Sequence, residues 1–215
     1  MFTPTIYIPD CNLEAELISL DELKLHHLKN VLRIKNEDNV NISTGKGKLL
    51  IGNLSNNNVK VSSKMNYLRN HEITIFIPAL REKNRFRFMI EKLVELNVSK
   101  VVIGKTENTQ NTRIDIDRIN NWAISAVEQS GTPFFPEIEV IDEIDFSLFN
   151  ICFDITGEQI NKDTPKTDTF AIGPEGGWSS NELSKFKIKY KISEFNLRTE
   201  TAAIVSCHTI NLINQ

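Results

Sequence analysis

The chain has 215 residues, 40% hydrophobic and 25% charged, which suits a soluble globular protein of one large or two small domains. No apolar run could span a bilayer, residues 1–10 lack the basic start and apolar core of an export signal, and the three scattered cysteines (Cys11, Cys152, Cys207) suit neither a zinc site nor a disulfide framework. A cytoplasmic protein with no membrane partner and no metal is therefore expected. The net charge of −3 is segregated, with 17 Lys and Arg against 12 Asp and Glu in residues 1–113 and 8 against 16 in residues 114–215, so an anionic polymer would meet the first half unless the split is chance surface composition.

From Met1 to about Asn66, short and often alternating segments predict strands at Ile6–Ile8, Asn39–Ser43, Lys48–Leu54 and Val59–Ser63, separated by the turns Thr44–Gly47 and Ser55–Asn58. Ser19-Leu20-Asp21-Glu22 has capping-box spacing and opens a helix with Leu23, His27, Leu28, Val31 and Leu32 on its apolar side. The pattern is that of a small barrel flanked by one helix. His26 and His27 have no third ligand in view and read as packing or surface residues.

Beyond residue 72, strands alternate with helices, which predicts a mainly parallel sheet covered on both faces. Ile73–Ile77 is a strand and Lys83–Leu96 a helix whose Phe86, Met89, Ile90, Leu93 and Val94 share a face. Lys100–Ile103 is the next strand, and a helix from about Ile116 to Ser130 turns Ile116, Ile119, Ala123, Ala126 and Val127 inward. Ile151–Ile155 and Thr169–Ile172 are compact apolar runs of buried-strand type. Ser179-Ser180-Asn181-Glu182 is a second capping box and starts a helix to about Tyr190. The helix Glu200–Ile213 is apolar almost all round, so it is buried in the domain or against a partner subunit.

Gly173-Pro174-Glu175-Gly176-Gly177-Trp178 joins a buried strand to a capped helix. Three glycines in five positions allow a ligand close to the backbone, and main-chain groups of such a loop can hold a flat adenine. A tight turn with no ligand is the plain alternative, and neither a P-loop nor a dinucleotide fingerprint is present. Leu197-Arg198-Thr199-Glu200-Thr201-Ala202 lies at another strand-to-helix junction. There Thr199 reads as an N-cap and Glu200 as a first-turn acid, but Arg198 at a strand end is unexplained by capping. Arg81, Lys83, Arg85 and Arg87, followed by Lys92, form a basic cluster that alone reads as a solvated helix face, and within the basic half becomes a phosphate contact.

These two motifs, in this order and each opening a helix, closely resemble the ribosomal RNA small subunit methyltransferase E family of the SPOUT superfamily. The resemblance runs nearly end to end, through His26-His27-Leu28 with Val31-Leu32-Arg33, Glu91–Leu96, and Ala126–Gly131 followed by Pro136-Glu137-Ile138. It implies a PUA-like RNA-binding barrel over residues 1–70, a SPOUT α/β methyltransferase domain with a deep trefoil knot over 71–215, and a homodimer. It also implies S-adenosylmethionine as cofactor and N3 of a uridine in 16S ribosomal RNA, free or in the small subunit, as target.

On that basis the loop Gly173, Pro174, Glu175, Gly176, Gly177 and the segment Asn196, Leu197, Thr199, Thr201 would enclose the methyl donor, with Thr156 and Gly157 as a third side. Arg198 would stabilise the uracil anion, with Glu200 orienting it or accepting the proton. Arg33, Arg81, Lys83, Arg85 and Arg87 would hold RNA. The chain departs from the family where it runs from Ser193-Glu194-Phe195-Asn196 straight into Leu197, which shortens one wall of the cofactor pocket. Asn97 replaces a glycine, and Thr5, Asn108 and Thr132 stand where Arg is common. Methylation of another base or a ribose hydroxyl, or a non-catalytic RNA-binding role, are the competing expectations.

Overall fold

The computed structural model describes residues 3–110 and 113–215. They form two compact units, the described part of Met1–Arg69 with Ile124–Phe135, and Asn70–Ala123 with Pro136–Gln215.

The first unit is a five-stranded sheet in the order β1-β3-β4-β5-β2. Its strands are β1 (Thr5–Tyr7), β2 (Leu17–Ser19), β3 (Asn39–Ser43), β4 (Lys48–Ser55) and β5 (Asn58–Asn66), all antiparallel except the β1/β3 pair. Alternation sends Ile6, Val40, Ile42, Leu50, Leu54 and Val59 into one cluster with Ile18 and Leu28. The β4–β5 turn places Asn56 at φ 55, a left-handed conformation that Asn tolerates.

The first helix differs from expectation. Asp21, not Ser19, caps α1 (Glu22–His26), its carboxylate accepting from Lys24 N at 2.8 Å, while the Ser19 hydroxyl donates to Asn58 across the sheet. A π-helical turn, His27–Val31, follows directly. Its wider turn breaks the 3.6-residue period, so Leu28 is buried whereas Leu23 is 84% exposed and Val31 and Leu32 also face solvent.

Residues 124–135 complete this unit. Glu128 accepts from Tyr7 N at 3.0 Å, Ser43 Oγ donates to Thr132 O at 2.8 Å, and the Tyr7 and Phe135 rings stack at 5.0 Å. Gly45 is required at this seam, since its φ is 71 and a Cβ there would meet the Tyr7 ring at 2.7 Å.

The second unit carries a six-stranded sheet in the order β11-β9-β10-β6-β7-β8, every neighbouring pair parallel. The strands are β6 (Thr74–Pro78), β7 (Lys100–Lys105), β8 (Glu137–Glu143), β9 (Ile151–Gln159), β10 (Thr169–Ile172) and β11 (Ile188–Lys191). The helices are α2 (Lys83–Glu95), α3 (Ile116–Ser130), whose residues from Ile124 onward belong to the first unit, α4 (Ser180–Lys185) and α5 (Thr199–Asn214). Central β6 and β10 are apolar on both faces, as strands covered twice must be. The anticipated α2 residues Phe86, Met89, Ile90, Leu93 and Val94 are all buried. Asn97 then takes φ 61, its N–H donating to Val94 O and that of Val98 to Leu93 O, a Schellman closure in which Asn does a glycine's work.

Two expectations are corrected here. The capping box at Ser179 and Glu182 forms, but α4 ends at Lys185, and Ile188–Lys191 is strand β11 instead of helix. Ile-Lys-Tyr-Lys alternates with period 2, which favours a strand. Ile116 on α3 is exposed, unlike Ile119, Ala123, Ala126 and Val127. On the last helix Ala203, Cys207 and Ile210 are buried in the domain, while Val205 and Leu212 expose apolar surface on other sides.

Asn214 fastens the end of α5 to the start of β10. Its amide nitrogen donates to Thr167 O and Asp168 Oδ1, its oxygen accepts from Thr167 N, and its carbonyl accepts from Lys166 Nζ. Asn214→Ala leaves several of these groups unpaired and is expected to cost about 1–3 kcal/mol, read as a lower urea midpoint at unchanged slope.

Candidate active site

Sheet order fixes where a ligand can sit. Strands β6, β7 and β8 proceed outward in one direction while β10 and β9 lie on the other side of β6, so the order reverses between β6 and β10. In open parallel sheets the crevice beyond the carboxyl ends at such a reversal is the binding site. The loop 173–178 leaves β10 there, and Arg81 to Asn84 follow the end of β6.

A cavity of about 300 Å³ opens on the β9 side of this reversal, beyond the carboxyl ends of β10 and β11 and against β9. Gly173, Pro174, Glu175, Gly176 and Gly177 form one side, and Asn196, Leu197 and Thr199 another, as anticipated. The third side comes from Phe153, Asp154 and Ile155 instead of Thr156 and Gly157, and Thr201 is exposed outside it. Sequence reasoning also missed Tyr190 to Ser193, which leave the unforeseen β11, together with Ile172, Trp178, Phe195 and Ala202.

The β9 substitution has a clear cause. Cys152 pairs with Lys189 on β11, but the next residue there, Tyr190, pairs with Glu158, so residues 153–157 are passed over and form an excursion. Asp154 stabilises it by accepting from the Thr156 backbone and hydroxyl at 2.9 and 2.6 Å. Gly157 packs against β11 with no room for a Cβ, which would lie 2.6 Å from the Lys189 carbonyl carbon.

The glycine loop is held from outside the cavity. Gly177 N donates to Pro174 O at 2.9 Å, and Gly177 has φ 71 with open space where a Cβ would stand. Asn108 donates to Gly177 O at 3.0 Å, and buried Glu182 accepts from both Ser179 N and Glu107 N. At Gly173 a Cβ would lie 2.9 Å from the Trp178 indole nitrogen, so the ring packs directly on the bare backbone. Thr199 is not the N-cap of α5; that position is Arg198, which makes no side-chain capping bond, while the Thr199 hydroxyl donates to Gly173 O at 3.2 Å.

Glu200 is buried in the first turn of α5, and both its oxygens are taken by Arg85 of α2, Nε at 2.8 Å and Nη2 at 2.6 Å. The remaining Nη1 of Arg85 donates to Glu175. The Arg85 hydrogen bonds hold the Glu200 carboxyl below its ordinary range, and the two carboxylates, Glu200 foremost, raise the guanidinium further. Each Glu200 oxygen is thus engaged by Arg85, the hydrogen bonds described at Glu200 do not include Arg198, and Arg85 is committed within the protein. Arg198 is exposed and does not line the cavity.

A second, open recess is lined by Arg81, Glu82, Lys83, Asn84, Gln110 and Glu175, so Glu175 belongs to both cavities. Arg81, Lys83 and Arg87 are exposed, Arg87 being paired with Glu91 at 2.6 Å, and Arg33 is an exposed residue of the first unit at φ 58. Cys152 and Cys207 are buried, and desolvation pushes the Cys207 thiol up to about 12, consistent with packing roles. Among the described residues no helix is long and apolar enough to cross a membrane.

Comparison with known proteins agrees with this geometry. The chain is similar to ribosomal RNA small subunit methyltransferase E 2 of Borreliella burgdorferi, at 28% identity over 90% of each chain. It is similar to a probable rRNA-methyltransferase structure from Porphyromonas gingivalis, at 26% identity and TM-score 0.80 over 98% of each chain. It shares the fold of the Neisseria gonorrhoeae ribosomal RNA small subunit methyltransferase E bound to S-adenosyl methionine, at 22% identity and TM-score 0.82 over 99% of this chain and 98% of that one. The family model for the RNA methyltransferase PUA domain matches residues 20–61, within the first unit. The model for the RNA methyltransferase domain runs over residues 68–211, taking in the whole parallel sheet and every residue that lines the cavity, and the chain therefore belongs to that RNA methyltransferase family.

Proposed function

We propose that the protein transfers a methyl group from S-adenosylmethionine to N3 of a uridine base in 16S ribosomal RNA, acting as a homodimer in the cytoplasm. The observation that carries this reading is the glycine-walled cavity beyond the carboxyl ends of β10 and β11 and against β9, which shares Glu175 with a recess where Arg81 and Lys83 lie beside Glu82. Ile155, Ile172, Leu197 and Ala202 give the first an apolar lining for a purine, while backbone groups of the loop and of residues 190–193 supply polar partners. The segment before Leu197, though short, still reaches the cavity through Ser193, Phe195 and Asn196, which favours a working donor site over a non-catalytic role. Val205 and Leu212 on α5 and Phe88 on α2 expose apolar surface suited to a second copy.

The bound donor supplies an activated methyl group on a sulfonium. The protein's task is to hold donor and acceptor in line and to stabilise charge on the base as its imide proton leaves. Arg198, uncommitted to a cap and at the mouth of α5, takes that second role, and Arg81 and Lys83 contact phosphate. Calorimetry with S-adenosylmethionine tests the donor site, and nucleoside mass spectrometry of ribosomal RNA from a deletion strain tests the product. Loss of 3-methyluridine is expected, and its persistence would overturn the assignment.

Two variants probe the division of labour. Gly176→Val sets a branched side chain against Asn108, 3.1 Å from the position of its Cβ, and into the cavity wall; donor affinity should fall more than about tenfold while the chain stays folded. Normal affinity in a folded variant removes the loop from the site. Reversing Arg81 and Lys83 to Glu should weaken RNA binding and flatten its dependence on salt with donor affinity unchanged, because fewer counterions are released. An unaltered slope places the RNA surface elsewhere.

A further inference from the structure

The walls of the donor cavity are anionic, whereas the adjoining recess balances Arg81 and Lys83 against Glu82 and Glu175. Arg85 bridges Glu200 and Glu175, so this cluster of one guanidinium and two carboxylates carries one net negative charge. Glu200 is buried with both oxygens occupied; Glu175, whose side chain is 43% exposed, is the carboxylate that the cluster presents to the cavity. Asp154 on the β9 excursion adds a second acid to the lining, while the lining's one cation, Lys191, is paired with Glu194 at 2.9 Å. The wall therefore suits a ligand carrying positive charge.

Methyl transfer changes that charge. The donor has a sulfonium, and once its methyl is lost the same sulfur is a neutral thioether, with every other group of the ligand unaltered. An interaction with the sulfonium charge is thus the one electrostatic means of telling donor from spent product, which otherwise offer the same adenine, ribose and amino-acid parts. We infer that Glu175, held in place by Arg85, makes the cavity prefer the sulfonium donor over its thioether product, so that transfer itself weakens the ligand's hold and favours product release. The inference rests on the donor site proposed above. Glu175 is here a binding and specificity residue, and Arg85 a positioning residue acting through it.

The test is equilibrium calorimetry of the intact protein with S-adenosylmethionine and, separately, S-adenosylhomocysteine. Glu175→Gln keeps the shape and a hydrogen-bond acceptor for Arg85 but removes the charge. It should weaken the donor about tenfold, a modest value because the group is partly solvated, and leave the product near its original affinity. Arg85→Gln takes the cluster from one net negative charge to two and should move the donor-to-product ratio the opposite way, even where both affinities drop through loosening of the loop. High salt should compress the ratio in the unmodified protein. An unchanged ratio in Glu175→Gln, or equal loss of both ligands, would overturn the inference while leaving the donor site standing. Failure of the unmodified protein to bind either ligand would overturn the site and the inference together.

Discussion

Arg85→Ala is expected to lose about 3 kcal/mol of stability, a cost that measures the stranded Glu200 carboxylate and not the net worth of the ion pair. Removing one partner of a buried pair strands the other, and Glu200 would then be a desolvated carboxylate at the base of α5 with two empty acceptor positions. Urea unfolding at neutral pH should show the midpoint falling at constant slope. The double variant Arg85→Met/Glu200→Leu should recover most of the loss, because an apolar pair needs no desolvation. The pH dependence has a definite sign. Arg85 depresses the Glu200 pKa, so the pair's contribution is fully present above the ordinary carboxylate value of about 4.3 and disappears as pH falls through the lower folded-state value. The gap between unmodified and Arg85→Ala proteins should therefore narrow in acid below about pH 4. A constant gap, or a loss comparable to an exposed pair, shows that Arg85 and Glu200 are not coupled as the geometry indicates.

Arg198→Ala should leave a folded protein that binds S-adenosylmethionine with ordinary affinity yet transfers the methyl group on the order of a hundredfold more slowly. The arginine caps nothing and lies outside the cavity wall, so removing it disturbs neither helix α5 nor the donor's enclosure. On the proposed mechanism, what it removes is a positive charge that stabilises the base as it becomes negative. An interaction that grows only as the reaction proceeds lowers the catalytic constant, whereas one made equally with bound substrate mainly raises apparent KM. Single-turnover rates at saturating donor and RNA separate the two. Transfer at the unmodified rate, or a defect traced wholly to lost donor binding, would remove Arg198 from the chemistry.

The parts of this molecule that short-range patterns encode were readable in the chain. Helix α2 follows from five apolar residues at helical spacing, and the α4 N-terminus from Ser179 and Glu182, because those signals are complete within one or two turns. The π-helical turn was not readable, since the same apolar residues fit an ordinary helix and only packing of Leu28 decides which face is buried. The glycine loop announced one wall of the site. The β9 excursion did not announce the opposite one, because its cause is a jump in pairing with β11 and lies in neither strand alone. The Arg85–Glu200 pair spans 115 residues, and nothing near either residue distinguishes Arg85 from the exposed basic residues around it. Likewise, residues 124–135 close the first unit through contacts with residues more than 80 positions away.

The chain has two tryptophans, and one of them is a built-in optical probe. Trp178 packs its indole on the bare backbone of Gly173 and against the Phe76 and Phe186 rings, and its buried nitrogen finds no hydrogen-bond partner among the described residues. Emission from such an indole is set by the polarity and packing of a few neighbouring atoms, and here Trp178 itself and the Gly173 backbone it covers both line the cavity. With Trp122 replaced by Phe, which keeps an aromatic edge against Phe86, the remaining tryptophan is the one at the cavity wall. Occupancy of the cavity could then be followed in real time, without a label and without waiting for turnover.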